Sequence, residues 1–185
     1  MSHFGVLFLC FISVVFVTTV NGTPRLMPHT PLNQTCVQLG ANYKCEFWDC
    51  LERRFPCHQF VFKRAMGDCK MFDLKRFMFN EGGKQFLDAS RKCLMDQFHE
   101  IYRRSDVSCD EVSEFGYNTI SHCSLVSRPN ICQVFWPNRH HFTQGFQVDF
   151  QEMQRIMRVF MKCGSVTSLQ AIGHLMSTLG SSVRS

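Results

Sequence analysis

Apolar side chains recur at helical spacing along most of this chain. Between Phe146 and Lys162, the residues Phe146, Phe150, Met153, Met157, Phe160 and Met161 follow at intervals of four, three, four, three and one. They make one apolar stripe, with Gln147, Asp149, Gln151, Glu152, Gln154, Arg155 and Arg158 elsewhere, which predicts a long amphipathic helix. Gly164, just past Cys163, is a natural stop for it. A second helix is predicted from Lys84 to Phe98, starting after Gly82-Gly83, with Phe86, Cys93, Leu94 and Phe98 inward. A third is predicted from Asp110 to His122. Ser108 and Glu111 are spaced for a capping box there. Cys109, Val112, Phe115, Ile120 and Cys123 supply its inner face, which Gly116 weakens. Cys69 to Phe79 and Ser165 to Leu179 are shorter helical candidates. Strand signals are poor, because no tight hairpin dipeptide sits between alternating runs. The segment Arg128 to Gln144, with Pro129, Pro137 and Asn138-Arg139-His140-His141, reads as a long loop. Internal repeats, low-complexity stretches and domain linkers are missing from the pattern.

The first part of the chain breaks this period. Phe4 to Val20 is almost wholly apolar and ends at Val20-Asn21-Gly22, small residues of the kind that signal peptidase cleaves. Residues 1–22 are therefore expected to be a secretory signal peptide, cut after Gly22. No second apolar run follows, so the mature chain is expected to be soluble, without stable membrane insertion. Residues 23–35, with Pro24, Pro28 and Pro31, are expected to be a flexible arm, and 36–185 a helical domain.

Cysteine usage sharpens this picture. Of eleven cysteines, Cys10 lies in the leader. The mature set is Cys36, Cys45, Cys50, Cys57, Cys69, Cys93, Cys109, Cys123, Cys132 and Cys163. An even set behind a leader reads as a disulfide framework in an oxidising, extracellular compartment. The expected fold is all-α, a disulfide-stapled helical bundle in a single domain. Spacing alone leaves the pairing open.

Charge adds little. The formal net charge is +5, and the leader contributes none of it. The basic residues come as pairs, Arg53-Arg54, Lys63-Arg64, Lys75-Arg76, Arg91-Lys92 and Arg103-Arg104. They read as solvated helix surface rather than a nucleic-acid patch. Cutting at these pairs would only nick the framework between bridged cysteines.

Candidate chemistry is sparse. A secreted phospholipase A2 needs a His-Asp on a helix and paired cysteines, and neither dipeptide occurs here. His140-His141 invites a metal, but adjacent side chains diverge and zinc needs further ligands. The pair reads as loop histidines. No zincin, nucleophile-elbow, phosphate-loop or EF-hand motif is present. Asp110, Glu111 and Glu114 suit the first turn of a helix through its dipole better than calcium. The 19 Phe and 10 Met read as core, with an exposed Met-rich partner face as the alternative. The expectation is a non-enzyme with no cofactor, no metal and no catalytic residue. Asn33-Gln34-Thr35 is an N-glycosylation sequon. Cleavage would destroy Asn21-Gly22-Thr23, and Asn130-Ile131-Cys132 is a poor acceptor.

The cysteine pattern resembles one family closely. Cys36-x8-Cys45-x4-Cys50-Leu51-Glu52 opens it, then Cys57, Cys69, Lys92-Cys93-Leu94, Cys109, Cys123, Cys132 and Cys163 follow. This looks like the stanniocalcin family of secreted glycoprotein hormones, over Cys36 to Cys163. Pro137-Asn138-Arg139-His140-His141-Phe142 is similar to that family's Pro-Asn-His-Phe region. The resemblance implies a helical fold and the pairing Cys36 with Cys50, Cys45 with Cys69, Cys57 with Cys109, Cys93 with Cys123, and Cys132 with Cys163. It also implies a hormone or paracrine signal in calcium and phosphate homeostasis that acts by binding. The implied partner is a cell-surface receptor, or a secreted pappalysin-type metalloproteinase that it inhibits. A non-hormonal extracellular binding module is the remaining alternative, and no nucleic acid is implied. Two departures stand out. The family's dimer cysteine lies downstream of its tenth, and Gly164 to Ser185 holds none, so a covalent dimer is not expected. A non-covalent homodimer through Phe146–Lys162 or Ser165–Leu179 stays open. The family's sequon after Cys-Leu-Glu is replaced by Arg53-Arg54-Phe55, which leaves Asn33 as the expected glycosylation site.

Overall fold

The computed structural model describes residues 24–57, 61–143, 150–164 and Gly173. The leader, Thr23, Phe146 to Asp149 and all of Ser165 to Leu179 except Gly173 lie outside the described residues. Helices dominate: α1 (Gln34–Ala41), α2 (Phe47–Arg54), α3 (Val61–Lys75), α4 (Glu81–Arg103), α5 (Cys109–Val126), α6 (Ile131–Thr143) and α7 (Phe150–Met161). A 3-10 turn (Arg76–Met78) links α3 to α4. Two short strands, β1 (Arg25–Leu26) and β2 (Val107–Ser108), pair antiparallel, Arg25 with Ser108 and Leu26 with Val107. The protein is an all-α single domain stapled by disulfides.

The apolar residues sort into two cores. The first gathers Phe47, Trp48 and Leu51 of α2, Phe62 of α3, and Met95, Phe98, Ile101 and Tyr102 of α4. Its rings meet edge to face, Trp48 with Phe98 at 4.9 Å and Phe98 with Phe115 at 5.3 Å, the arrangement ring quadrupoles favour. The second gathers Phe79, Phe86 and Leu87 with Val134, Phe135 and Phe142 of α6 and Val159 and Phe160 of α7. Phe142 is its hub, with ring contacts to Phe72, Phe79, Phe86 and Phe135. Helix α4, 23 residues long and so about 35 Å, belongs to both.

Five disulfides close this frame: Cys36–Cys50, Cys45–Cys69, Cys57–Cys109, Cys93–Cys123 and Cys132–Cys163. These are the pairs that the resemblance names. Three lie around the first core, one clamps α4 to α5, and one clamps α6 to the end of α7.

Several expectations need correction. The segment read as a loop from Arg128 to Gln144 is largely α6. Ile131, Val134, Phe135, Asn138 and Phe142 are buried on one face, and that burial outweighs Pro137 inside the helix. Proline there removes one intrahelical bond. Asn138, one residue on, adds a bond of its own, its Nδ2 donating to the Val134 carbonyl at 2.9 Å. Asn130 and Gln133 cap the start reciprocally, backbone to side chain, at 3.0 and 3.2 Å.

Helix α4 starts before the predicted Lys84. Asn80 caps it, accepting from the Gly83 N–H at 2.9 Å, so the glycines form the first turn. Helix α3 begins at Val61 rather than Cys69. Ser108 holds the N-cap position of α5 but makes no capping bond with its side chain. Ile120 is 49% exposed, and Val112, Gly116, Thr119 and Cys123 form the buried face instead. In α7, Val159 and Phe160 are buried while Met161 is 61% exposed. Gly164, three residues past the end of α7, has φ +92, a conformation that glycine adopts readily.

The expected flexible arm is tied down from residue 24 to residue 33. β1 pairs with β2, Arg25 makes two bonds to Asp106 at 2.8 and 3.1 Å, and the His29 N–H donates to the Arg54 carbonyl at 2.8 Å. Replacing Phe142 by alanine should destabilise the fold by about 3–5 kcal/mol in urea unfolding followed by circular dichroism. A loss below about 1 kcal/mol would show that the second core does not centre on this ring.

Candidate functional site

The residues of the Pro137–Phe142 motif come together with the start of α4. Asn138 is almost fully buried. Its Oδ1 accepts from the Asn80 N–H at 2.9 Å, and its Nδ2 donates to Asn80 Oδ1 at 3.0 Å. A Cβ on Gly83 would lie 2.9 Å from this side chain, so only glycine lets the motif approach α4. His140 is exposed on α6 rather than on a loop. His141 lies with its ring centroid 5.5 Å from that of Phe79, and its Nδ1 is buried without a hydrogen bond.

The chemistry-bearing residues elsewhere are mostly committed to the fold. Cys45, Cys69 and Asp73 present atoms close enough for a metal. Both sulfurs are consumed in one disulfide, and Asp73 pairs with Arg91, so this donor set does not fit a cation. Asp73 Oδ2 is 3.3 Å from Cys45 Sγ, which as a bridged sulfur has no hydrogen to donate. Of the acids considered for calcium, Glu111 reaches Arg25 at 3.8 Å. Asp110 and Glu114 line an open groove of about 770 Å³ between α5 and α7 that also holds Arg158 and Lys162. The sequon Asn33 is exposed and caps α1, its Oδ1 accepting from Thr35 N at 2.8 Å and Cys36 N at 3.3 Å.

The basic pairs are not all solvated surface. Arg54 is 5% exposed. Its guanidinium donates to the Thr30 carbonyl and, at 3.2 Å, to the Arg104 carbonyl, while stacking on Phe55 and Tyr102. It ties the N-terminal strap, α2 and the end of α4 together. A dipeptide of arginines gives no hint in the sequence that one points inward. Arg76 is held by Asp88 at 2.5 Å; the hydrogen bond and charge of that carboxylate raise its pKa. The Tyr43 hydroxyl and then Asp96 raise that of Lys92, and the Asp106 hydrogen bond and charge raise that of Arg25. Burial pushes the Asp68 carboxyl up, and Arg64 at 3.4 Å offsets only part of this.

A second open groove, of about 690 Å³, lies where α1, α3 and α4 meet. Tyr43, Lys44, Lys70, Asp73, Leu74 and Arg91 line it. Tyr43 closes α1 with φ 55, a left-handed conformation that costs a non-glycine residue about 1 kcal/mol. Its hydroxyl accepts from Lys92, whose ammonium sits 4.6 Å from the ring centroid. Beside the groove, Leu74 and Phe77 are 76% and 79% exposed. Both fall in the helical candidate Cys69 to Phe79, whose pattern carries no sign of which side chains stay exposed.

Arg54→Ala should cost about 2–4 kcal/mol in chemical unfolding, since two carbonyls lose a charged donor. A cost near zero would contradict the tie. Asp68 holds its proton more tightly folded than unfolded, so its share of stability falls as pH rises through its folded pKa. Asp68→Asn should therefore gain stability relative to the parent between pH ~3 and pH ~7. An unchanged difference across that range would contradict the burial effect. No family model, curated protein or solved structure matches the chain.

Proposed function

We propose that the chain is a secreted stanniocalcin-like signalling protein that acts by protein binding in calcium and phosphate homeostasis. One observation carries this reading: ten cysteines joined in five pairs in the order the family resemblance implies, on a helical frame. Five disulfides are typical of extracellular proteins. No helix among the described residues is long and apolar enough to cross a membrane. The polar groups of the motif region hold helices together, which suits a protein whose work is done by its surface.

The reading is tested by adding the purified, oxidised protein to an epithelial monolayer and following transepithelial calcium and phosphate flux. A saturable change that disappears after reduction of the disulfides is expected. No change at micromolar protein, with all five bridges intact, would contradict a role in mineral-ion signalling. Running the same preparation against a pappalysin-type metalloproteinase separates inhibition from hormone action. Loss of cleavage without a flux response would move the function to the inhibitor.

A further inference from the structure

We infer that the face formed by Leu74, Phe77 and Met78 beside the α1–α3–α4 groove docks a segment of a partner protein that presents an apolar side chain flanked by carboxylates. This rests on the reading that the protein acts by protein binding, and it names the surface that does so.

Leu74 and Phe77 are the most exposed large apolar residues among those described, at 76% and 79%, and Met78 adjoins them. They lie one turn apart where α3 passes into the 3-10 turn. Single exposed apolar residues are ordinary, whereas a contiguous cluster marks an interaction site. This cluster is held rigid. Cys45–Cys69 staples α3 on one side. Phe79, directly after the cluster, is 2% exposed in the second core. Arg76, inside the cluster, is bound through its Nε and Nη2 to the two carboxylate oxygens of Asp88 on α4. Little conformational freedom remains to be lost on binding, which favours affinity.

The adjoining groove supplies the charge. Asp73 and Asp88 line it, and both are taken by arginines. Lys44 and Lys70 also line it, and their ammonium groups have no hydrogen bond or ion pair among the described residues, with Glu46 the one acid left against them. With Arg76 neutralising Asp88 from beside the groove, the lysines leave it mildly positive, and a complementary partner brings carboxylates. Its concavity and mixed signs suit a folded or extended protein segment. A planar lipid surface would rest on the rim of this concavity rather than fill it. Tyr43 at the rim keeps its strained backbone, a cost that sites of recognition commonly retain.

The test is selection of a random peptide display library on the immobilised protein, with Leu74→Ser/Phe77→Ser and Lys44→Glu/Lys70→Glu as comparison targets. All four positions are exposed, so unchanged circular dichroism and intact bridges should confirm folding. Enriched peptides should combine an aromatic or aliphatic residue with Asp or Glu. They should weaken at least about tenfold on each double variant, lose affinity with added salt, and bind Ile120→Ser unchanged. Peptides that bind both double variants as well as the parent, or that lack acids, would overturn the proposal, as would no enrichment above the serine variant. Phe77-dependent binding to phosphatidylcholine–phosphatidylserine vesicles would overturn it in favour of a membrane. A dimer in sedimentation that Leu74→Ser/Phe77→Ser disperses would overturn it in favour of a second copy. A flux response kept by both double variants would remove this surface while leaving the signalling role standing.

Discussion

Helix α4 is the constraint on which the rest of the structure depends. A helix of 23 residues is long enough to serve two cores from one rod. Phe86 and Leu87 near its start pack into the phenylalanine cluster of α6 and α7, while Met95, Phe98, Ile101 and Tyr102 near its end pack against α2 and α3. Each end is fixed by a buried polar tie. At the start, Asn80 caps the helix and holds Asn138 of α6. At the end, the Tyr102 hydroxyl accepts from the Asn33 N–H at 3.2 Å and Arg54 binds the Arg104 carbonyl. Removing either tie would leave polar groups without partners in a dry setting, which costs more than the bond was worth.

The disulfides follow the same division. No bridge among the ten cysteines joins α6 or α7 to α1, α2 or α3. The first core is closed by Cys36–Cys50, Cys45–Cys69 and Cys57–Cys109, and the second by Cys132–Cys163. The largest loop, of 52 residues, is that of Cys57–Cys109, and restricting it in the unfolded chain contributes about 4 kcal/mol. Bridges of this kind let short helices such as α1 and α2, eight residues each, hold their geometry without a large core. The result is a stiff frame that can present exposed apolar residues such as Phe77 without their collapsing inward.

Much of this was legible in the sequence, and the failures have physical causes. The 3.6-residue period placed α4, α5 and α7 within a few residues at most ends, and Gly164 marked a stop that its positive φ explains. α6 escaped because Pro137, Asn138 and two histidines are individually poor helix formers. The burial of Ile131, Val134, Phe135 and Phe142 in the second core outweighs them. Residues 24–33 looked like an arm because three prolines in ten residues say nothing of a strand partner some eighty residues away at Val107–Ser108. Ile120 and Met161 fit their stripes yet face out, and Arg54 fits a surface pair yet faces in. In each case the neighbour that decides is remote in sequence. The Leu74–Phe77 face was invisible for the same reason: periodicity reports that a stripe exists and is silent on whether anything covers it.

The most direct test of this account is disulfide mapping of the oxidised protein, by proteolysis without reduction and mass spectrometry of the linked peptides. The two-core frame predicts Cys36–Cys50, Cys45–Cys69, Cys57–Cys109, Cys93–Cys123 and Cys132–Cys163. A peptide joining Cys132 or Cys163 to any cysteine between Cys36 and Cys69, or a free thiol at any of the ten, would contradict it.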